Sequence, residues 1–223
     1  MKQLVLDIAP APAPTLDNFV PGRNAELLHL LKDLAAGRSR ERFVYIWGEP
    51  GCGRSHLLTA FVTAAAASGH GVVCTEGAEG GPGPELAGLD AVALDGVQRL
   101  DDAGQIALFN LCNRMREGRG ALLVSGPAAP AQLALRPDLV SRLAWGLVYQ
   151  VHALSDGEKA DAMAGRARQR GFALAPEVAG YLLRHWRRDL PSLLGMVDAL
   201  DRYSLETKRP VTLPLLRRML AAP

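Results

Sequence analysis

Eight consecutive residues, GEPGCGRS from Gly48 to Ser55, have the glycine spacing of a loop that binds phosphate. They follow a short apolar run, FVYIWG, and precede an alanine-rich segment whose apolar residues have helical spacing. Between a strand and a helix, the glycines (Gly48, Gly51 and Gly53) let successive backbone N–H groups face phosphate, and the helix N-terminus adds positive potential. The sequence therefore predicts a nucleotide-binding loop, with a glycine-rich turn without a ligand as the alternative.

Three side chains of this loop bear on its chemistry. The pattern G-x4-G-K-[ST] is matched at every fixed position except the lysine, where Arg54 stands. Arg54 keeps the charge but presents a wide planar fork in place of a compact ammonium, so we expect binding to survive better than hydrolysis. Ser55 offers a hydroxyl to Mg²⁺. Cys52 is either a thiol activated by the helix N-terminus or a small filler residue.

A second candidate phosphate-site strand is DAVALDG, residues 90–96, with Asp95 at its carboxyl end. An acidic residue in this place can hold Mg²⁺ through water. The alternative is that Asp95 only caps a turn. Many ATPases with such a loop and strand have a carboxylate at the next position, which orients the attacking water. This chain has Gly96 there, which argues against efficient hydrolysis of ATP by the chain alone.

The order of elements predicts the fold class. Over the first 153 residues, short apolar runs ending in glycine or a polar residue alternate with helical segments, which indicates a parallel, three-layer α/β sheet. Beyond them four helices are predicted, at 156–170, 176–187, 191–207 and 213–220. We expect a flexible tail over 1–14, an α/β nucleotide-binding domain over 15–153 and an all-helical subdomain over 154–223.

The composition excludes several classes of protein. The apolar stretches fall well short of the roughly 20 residues that cross a bilayer, and the first residues lack the pattern of a secretory signal. Cys52, Cys74 and Cys112 are far apart without a CxxC pair, so neither a disulfide framework nor a zinc site is indicated. We expect a cytoplasmic protein with no membrane partner. The net charge of +2 is too mild to diagnose DNA binding.

Four motifs in order, LDNFVPGRNAELL, GEPGCGRSHLL, DAVALDGVQ and LVSRLAWGL, resemble the AAA+ core of the DnaA family of bacterial replication initiators. The helical part after residue 153 is similar to the lid subdomain of that family. A DnaA-type core without the initiator's terminal domains, and with a short apolar N-terminal tail, resembles the Hda group of proteins that inactivate DnaA. The resemblance implies an AAA+ P-loop fold followed by a helical lid.

The resemblance also implies a set of nucleotide-binding residues. The segment at 16–28 is similar to the family's adenine-side segment, which places Phe19 and Val20 near the base. His56 follows the loop serine and matches the family, although a histidine in the first turn of a helix needs no catalytic role. Mg²⁺ would be held by Ser55 and Asp95.

Several positions that read the γ-phosphate in the family are altered here. Pro191 stands where we expect the arginine of the second sensor, and Arg188, one helical turn earlier, is the nearest substitute. At the first sensor, Ser125 is followed by Gly126 and by Pro127 where the initiator has an acidic residue. We therefore expect ADP or ATP as a structural or regulatory ligand, and weak or absent ATPase activity of the chain's own.

In RPDLVSRLAWGLV, Arg142 occupies the position of the family's arginine finger, a guanidinium that reaches the nucleotide of a neighbouring subunit. Guanidinium suits this role because it is always charged and can bridge two phosphate oxygens. Arg136 is a weaker candidate in the same stretch. Without the motif, an arginine near a tryptophan is more often a surface stack or an ion pair.

The N-terminal QLVLDI resembles the short peptide by which replication proteins dock on the sliding clamp, the β subunit of DNA polymerase III. The resemblance assigns clamp binding to Gln3, Leu4, Leu6 and Ile8, with the Ala-Pro run over 9–14 as a semi-rigid, extended spacer. The alternative is an edge strand packed on the sheet.

Together the resemblance implies a negative regulator of replication initiation that docks on the DNA-loaded clamp and promotes hydrolysis of ATP on DnaA. Its partners would be the clamp, DnaA and a possible homo-oligomer, with DNA reached only through the clamp. A helicase-loader-type AAA+ ATPase that binds single-stranded DNA is one alternative. A P-loop kinase of small molecules is another, although SRLAWGL has no use in such an enzyme.

Overall fold

The computed structural model describes residues 13–77 and 81–221. Within them the chain divides into two compact units, Pro14–Ala153 and the residues from Leu154 onward. We name the first the α/β unit and the second the lid. None of the described helices has both the length and the apolar character that crossing a bilayer requires. The candidate clamp-binding residues Gln3, Leu4, Leu6 and Ile8 lie outside the described residues.

Five strands form one parallel sheet in the α/β unit. Their bounds are Phe43–Trp47 (β1), Val72–Glu76 (β2), Ala91–Asp95 (β3), Ala121–Gly126 (β4) and Leu147–Gln150 (β5). The order across the sheet is β2-β3-β4-β1-β5, and every neighbouring pair is parallel. This confirms the predicted parallel α/β architecture. The sequence analysis did not predict β5, a short edge strand in which half-buried and exposed positions alternate.

Helices cover both faces of this sheet. The α-helices of the unit are Ala25–Ala35 (α1), Arg54–Ala67 (α2), Asp102–Glu117 (α3) and Pro137–Leu143 (α4), and short 3-10 helices lie at Gly22–Asn24, Pro84–Gly88, Val97–Arg99 and Pro130–Gln132. The start of α3 is fixed by Asp101, whose carboxylate accepts a hydrogen bond from the backbone N–H of Gly104. Such a cap satisfies a donor that the helix itself leaves without a partner.

Two apolar cores lie on opposite faces of the sheet because successive side chains of a strand alternate. On one face, Val44 and Ile46 pack with Leu57 and Phe61 of α2 in a single buried cluster. On the other face, Tyr45 belongs to the cluster that includes the buried side of α3. Burial of each large apolar side chain contributes roughly 1.5 to 3 kcal/mol. The cores thus fix β1, and with it the loop that follows, from both sides.

The lid consists of four helices with a core of their own. They are Asp156–Gln169 (α5), Pro176–His185 (α6), Leu190–Thr207 (α7) and Leu213–Ala221 (α8). Pro176 and Pro191 lie in the first turns of their helices, as predicted, where a missing N–H costs no hydrogen bond. A capping box between Ser155 and Glu158 starts α5.

One ion-pair cluster joins α5 to α7. Arg166 donates two hydrogen bonds to Asp198, at 2.8 and 2.7 Å, and Arg170 contacts both Asp198 and Asp201. Burial alone would raise the pKa of Asp198, but the hydrogen bonds and charges of the two arginines together lower it. The cluster therefore holds these two helices of the lid together by charge as well as by packing.

Candidate functional site

The loop Gly48 to Ser55, called the phosphate loop below, joins β1 to α2 in a path that requires its glycines. Gly51 and Gly53 have φ angles of +79° and +105°, in the left-handed region that other residues rarely adopt. Gly48 has no such angle, but a Cβ there would overlap the carbonyl oxygen of Val151. The structure thus accounts for all three predicted glycines on steric grounds.

The adenine-side segment is held against the phosphate loop. The Phe19 ring lies so close to Gly53 that a Cβ on the glycine would be 2.9 Å from a ring carbon. The same ring is 5.4 Å from the His56 ring, centroid to centroid, and His56 Nε2 is 3.1 Å from the carbonyl oxygen of Thr15. Val20 beside it is partly buried. The predicted residues Phe19, Gly53 and His56 therefore meet at the start of α2.

Two hydroxyl groups converge on Asp95. Ser55 Oγ donates to the Asp95 carboxylate at 2.6 Å, and Ser125 Oγ donates to its other oxygen. Ser125 is fully buried at the end of β4 and also accepts a hydrogen bond from the backbone N–H of Gly96, at 3.0 Å. Because β3 and β4 are parallel neighbours, Asp95 and Ser125 lie side by side. The predicted pair Ser55 and Asp95 is thus brought together.

The oxygens of Ser55 and Asp95 are of the type that Mg²⁺ prefers. Among residues 13–77 and 81–221, no group of three or more His, Cys, Asp or Glu side chains is placed to hold a metal ion. The donor set fits a cation that is bound chiefly by nucleotide and water, with one hydroxyl and one carboxylate from the protein. It does not fit a cage built from protein side chains alone.

Arg54 is anchored inside the site. Its Nη1 donates a hydrogen bond to the carbonyl oxygen of Gly126, at the end of β4. The Arg54 side chain therefore extends from the first residue of α2 to β4, the strand next to β1. A lysine would present a single compact ammonium here in place of the planar fork of N–H donors. A phosphate bound in the loop would compete with the Gly126 carbonyl oxygen for the N–H donors of Arg54. The sequence pattern shows the arginine but not its anchor.

Tyr45 holds the segment that follows β4 by a side-chain hydrogen bond. Its hydroxyl donates to the carbonyl oxygen of Ala128 at 2.8 Å, and burial raises its pKa. The phenol occupies the space above Gly126, where a Cβ would overlap the Tyr45 oxygen. Arg54 and Tyr45 thus hold residues 126–128 at two carbonyl groups. Neither contact is visible in the sequence, because both depend on the pairing of β1 with β4.

The two alternatives for Cys52 are now distinguishable. The thiol is buried, and burial raises its pKa against the opposing hydrogen bonds and charge of Arg54. A thiol activated for nucleophilic attack would show a lowered pKa. Its Sγ lies 2.9 Å from the position of a Cβ on Gly48, so Cys52 packs inside the turn as a filler residue.

Arg142 is held by three side chains at the other end of the sheet. Its guanidinium carbon lies 4.0 Å from the centre of the Trp145 ring and 4.8 Å from that of Phe109. Its Nε donates to Asn113 Oδ1 at 3.0 Å. Sequence reasoning missed Phe109 and Asn113, whose four-residue spacing on α3 places both on one helix face. A second guanidinium, that of Arg116, lies 4.2 Å from the Trp145 ring.

The two remaining candidate arginines each form an ion pair within their own unit. In the lid, Arg188 donates to Asp156 at 2.6 Å, and both side chains are mostly exposed. The structure therefore shows Arg188 paired within the lid. Arg136 forms an exposed ion pair with Asp138, two residues away.

One testable consequence concerns the space above Gly126. Replacing Gly126 by Ala should destabilise the α/β unit by about 1 to 3 kcal/mol, because the new methyl group overlaps the Tyr45 hydroxyl. In a Tyr45→Phe background the same change should cost less, since the clashing oxygen is gone. Urea unfolding followed by tryptophan fluorescence measures both differences.

Gly88→Ala is the matched control for this cycle, because a Cβ there meets nothing within 4 Å and the backbone is not in the left-handed region. Equal costs of Gly126→Ala with Tyr45 present and in the Tyr45→Phe background would show that the phenol does not define this space.

Comparison with known proteins adds two findings. Residues 156–220 match the family model described as the lid domain of Hda. Among solved structures, domain III of the replication initiation protein DnaA from Thermotoga maritima is similar at 21% identity and a TM-score of 0.73, over 94% of this chain and 96% of that one. AMPPCP-bound DnaA from Aquifex aeolicus is similar at 20% identity and a TM-score of 0.72, over 95% of this chain and 71% of that one.

A replication initiator DnaA bound to AMPPCP and single-stranded DNA gives 21% identity and a TM-score of 0.70, over 90% of this chain and 69% of that one. At these identities the structural likeness shows the fold, and it confirms the predicted AAA+ architecture. The match of residues 156–220 to the lid-domain model is a match of sequence, and it does not depend on the structural similarity.

Proposed function

We propose that this chain, an AAA+ protein of the Hda/DnaA family by its lid and its fold, restrains replication initiation by promoting hydrolysis of the ATP bound to DnaA. In this reaction DnaA binds the ATP, and this protein supplies a guanidinium that stabilises the charge developing on the transferred phosphoryl group. The protein is then a regulator of a partner's ATPase and has little turnover of its own.

The geometry of Arg142 carries this proposal. Trp145, which holds Arg142, makes an edge-to-face contact with Phe43, the first residue of β1. The phosphate loop follows Trp47, the last residue of β1, about 13 Å further along the strand. Arg142 therefore lies at the amino edge of the sheet, away from the chain's own phosphate loop. A guanidinium in this place is suited to a nucleotide on another molecule.

The contacts of Arg142 also suit a finger. Stacking on Trp145 and Phe109 and the single hydrogen bond from Nε to Asn113 fix the plane of the guanidinium, while its Nη groups donate to no described residue. Fixing a flexible side chain before binding reduces the conformational entropy lost on contact with phosphate. The two Nη groups remain available for the bidentate contact that arginine makes with phosphate oxygens.

The chain's own nucleotide, ADP or ATP with Mg²⁺, is assigned to the phosphate loop. Two of the similar DnaA structures contain the ATP analogue AMPPCP, which supports a nucleotide at the corresponding place in this fold. Phe19 lies over the loop, and Ser55 and Asp95 supply oxygens for the cation. Arg54, already bonded to Gly126, and Gly96 in place of a carboxylate favour binding over hydrolysis.

Asp95→Asn tests this nucleotide site. An amide is a poorer ligand for Mg²⁺ than a carboxylate, so the affinity for fluorescent ADP should fall about tenfold with Mg²⁺ and change little in EDTA. Fluorescence titration of the purified protein measures both values. Asp102→Asn, an exposed change in the first turn of α3, should alter neither. An equal loss in EDTA would mean that Asp95 only shapes the loop.

Arg142→Ala tests the reaction itself. In a mixture of ATP-bound DnaA, the DNA-loaded clamp and this protein, the rate of ADP formation on DnaA should return to the unstimulated level, since a finger contributes roughly 10³-fold or more. Arg136→Ala removes the weaker candidate of the same segment, an exposed arginine paired with Asp138, and should leave the stimulation unchanged; loss of stimulation in this variant would assign the finger to Arg136 instead. Stimulation that survives Arg142→Ala would exclude the finger.

The same mixture distinguishes the alternatives. This protein alone should turn over ATP at a negligible rate, whereas a helicase-loader-type ATPase would hydrolyse its own ATP.

Clamp docking through residues 3–8 remains part of the proposal. An extended peptide of this kind binds by placing Leu4, Leu6 and Ile8 in an apolar groove while Gln3 forms hydrogen bonds. Surface plasmon resonance on immobilised clamp should show saturable binding that Gln3→Ala or Leu6→Ala abolishes. Binding indifferent to both changes would separate the tail from the clamp and leave the Arg142 reaction to be tested without it.

A further inference from the structure

Two arginine-rich segments meet at the amino edge of the sheet. Residues 37–42, GRSRER, lead into β1, and residues 113–119, NRMREGR, end α3 and lead towards β4. Because Phe43 pairs with Leu122, Arg40 and Arg119 each lie three residues before a paired position on adjacent strands. Arg114 lies in the last turn of α3, the helix that leads towards Arg119 and β4. We call Arg40, Arg114 and Arg119 the amino-edge arginines.

Arg42 leaves these three side chains without a local role. Its guanidinium donates to the carbonyl oxygens of Met115 and Arg116 in the last turn of α3 and to those of Gly118 and Gly120 just beyond it. A helix C-terminus normally attracts nearby cations through such carbonyl groups. Since Arg42 already satisfies them, the amino-edge arginines remain exposed to solvent.

The amino-edge arginines also have no acidic partner among the described residues. Elsewhere on the α/β unit three cations have an acidic partner: Lys32 pairs with Asp17, Arg99 with Glu76 and Arg136 with Asp138. Within the first segment, Arg38 pairs with Asp33. The two segments together carry six arginines and only two glutamates, Glu41 and Glu117. Positive charge is therefore concentrated at this one edge of the unit.

The position of this charge excludes the chain's own nucleotide as its ligand. In a parallel sheet the amino ends of the strands lie opposite the carboxyl ends, where the phosphate loop is. The charge of the amino-edge arginines is also separate from the surface at which Arg142 lies. Arg114 and Arg116 lie about 200° apart around α3, so they flank its buried stripe on opposite sides, and only Arg116 reaches Trp145.

The chemistry of the edge fits a phosphate backbone better than a protein. A stable protein interface has an apolar centre, yet the large exposed apolar side chains described in the α/β unit are only Ile106 and Val148. Ile106 lies about 12 Å from Arg114 along α3. The Trp145 ring is already covered by two guanidinium groups, so it does not offer a free stacking platform to the bases of a single strand.

We propose that the amino-edge arginines Arg40, Arg114 and Arg119 bind the phosphate backbone of duplex DNA without reading its sequence. Guanidinium groups suit this contact because they are always charged and donate two hydrogen bonds to one phosphate. The proposal replaces the expectation that DNA is reached only through the clamp. It depends on neither Arg142 nor the N-terminal tail.

The test uses this protein alone. Fluorescence anisotropy with a short labelled duplex gives its affinity over a range of salt concentrations. The triple change Arg40→Gln, Arg114→Gln and Arg119→Gln should weaken duplex binding by about tenfold or more at low salt. It should also reduce the slope of log affinity against log salt by about 2 to 3, because each phosphate that the protein no longer neutralises lowers the slope by about 0.9.

A second triple change, Arg168→Gln, Arg209→Gln and Arg218→Gln, removes the same charge from exposed positions of the lid and should leave both quantities nearly unchanged. Equal losses in the two triples would mean general attraction to the net charge and would overturn the proposal, as would an unaffected amino-edge triple. If that triple fails to fold by circular dichroism, the double change Arg40→Gln and Arg119→Gln leaves α3 intact and should still weaken binding several-fold.

Two competitors decide the class of partner. Unlabelled duplex should displace the labelled duplex more effectively than a single strand of equal length or poly-glutamate of equal charge. Better displacement by poly-glutamate would assign the edge to an acidic protein surface, and better displacement by the single strand would assign it to unpaired nucleic acid. Either result would overturn the proposal while leaving the DnaA reaction untouched.

Discussion

The common direction of the five strands is the constraint on which the chemistry of this protein depends. In a parallel sheet all carboxyl ends lie at one edge and all amino ends at the other, so each edge collects a different set of loops. The carboxyl edge holds the phosphate loop with Asp95 and Ser125. The amino edge holds Arg142 and the amino-edge arginines Arg40, Arg114 and Arg119. The phosphate loop and the proposed finger Arg142 thereby lie at opposite ends of the strands.

This separation is consistent with the proposed function, in which the protein binds one nucleotide and acts on the nucleotide of a partner. The γ-phosphate of a bound nucleotide needs a lysine, a catalytic carboxylate and sensors in one place, and here several of these are replaced. Arg54 is committed to a backbone carbonyl, and Gly96 has no side chain to orient water. What remains intact is the framework: glycines in strained conformations, a ring packed on the loop and a carboxylate between two hydroxyl groups. Such a framework favours retention over turnover.

Local patterns predicted the parts of the structure that local chemistry determines. The phosphate loop, the strand ending at Asp95, the parallel sheet and the lid helices follow from glycine spacing and apolar periodicity, because those signals lie within a few consecutive residues. The strand β5 was missed, since four residues at a sheet edge carry too little periodicity. The anchor of Arg54 on Gly126 and the hydrogen bond of Arg142 to Asn113 join segments 72 and 29 residues apart, and only strand register brings them together.

The clustering of the amino-edge arginines could not be predicted from the sequence either. A net charge of +2 conceals them, because acidic residues elsewhere on the chain offset their sum. Their proximity follows from the pairing of β1 with β4, and their freedom follows from Arg42 satisfying the end of α3. Composition measures the total charge of a chain, whereas recognition depends on where the fold places it.

The burial of two of the three cysteines has a practical consequence. Cys52 and Cys112 are buried inside the α/β unit, where a reagent in solution does not reach their thiols. Cys74 is exposed on the edge strand β2. A maleimide dye added to the unaltered protein should therefore attach at Cys74, on the strand that pairs with the strand ending at Asp95. The protein can therefore be labelled at Cys74 for single-molecule fluorescence without first replacing Cys52 and Cys112.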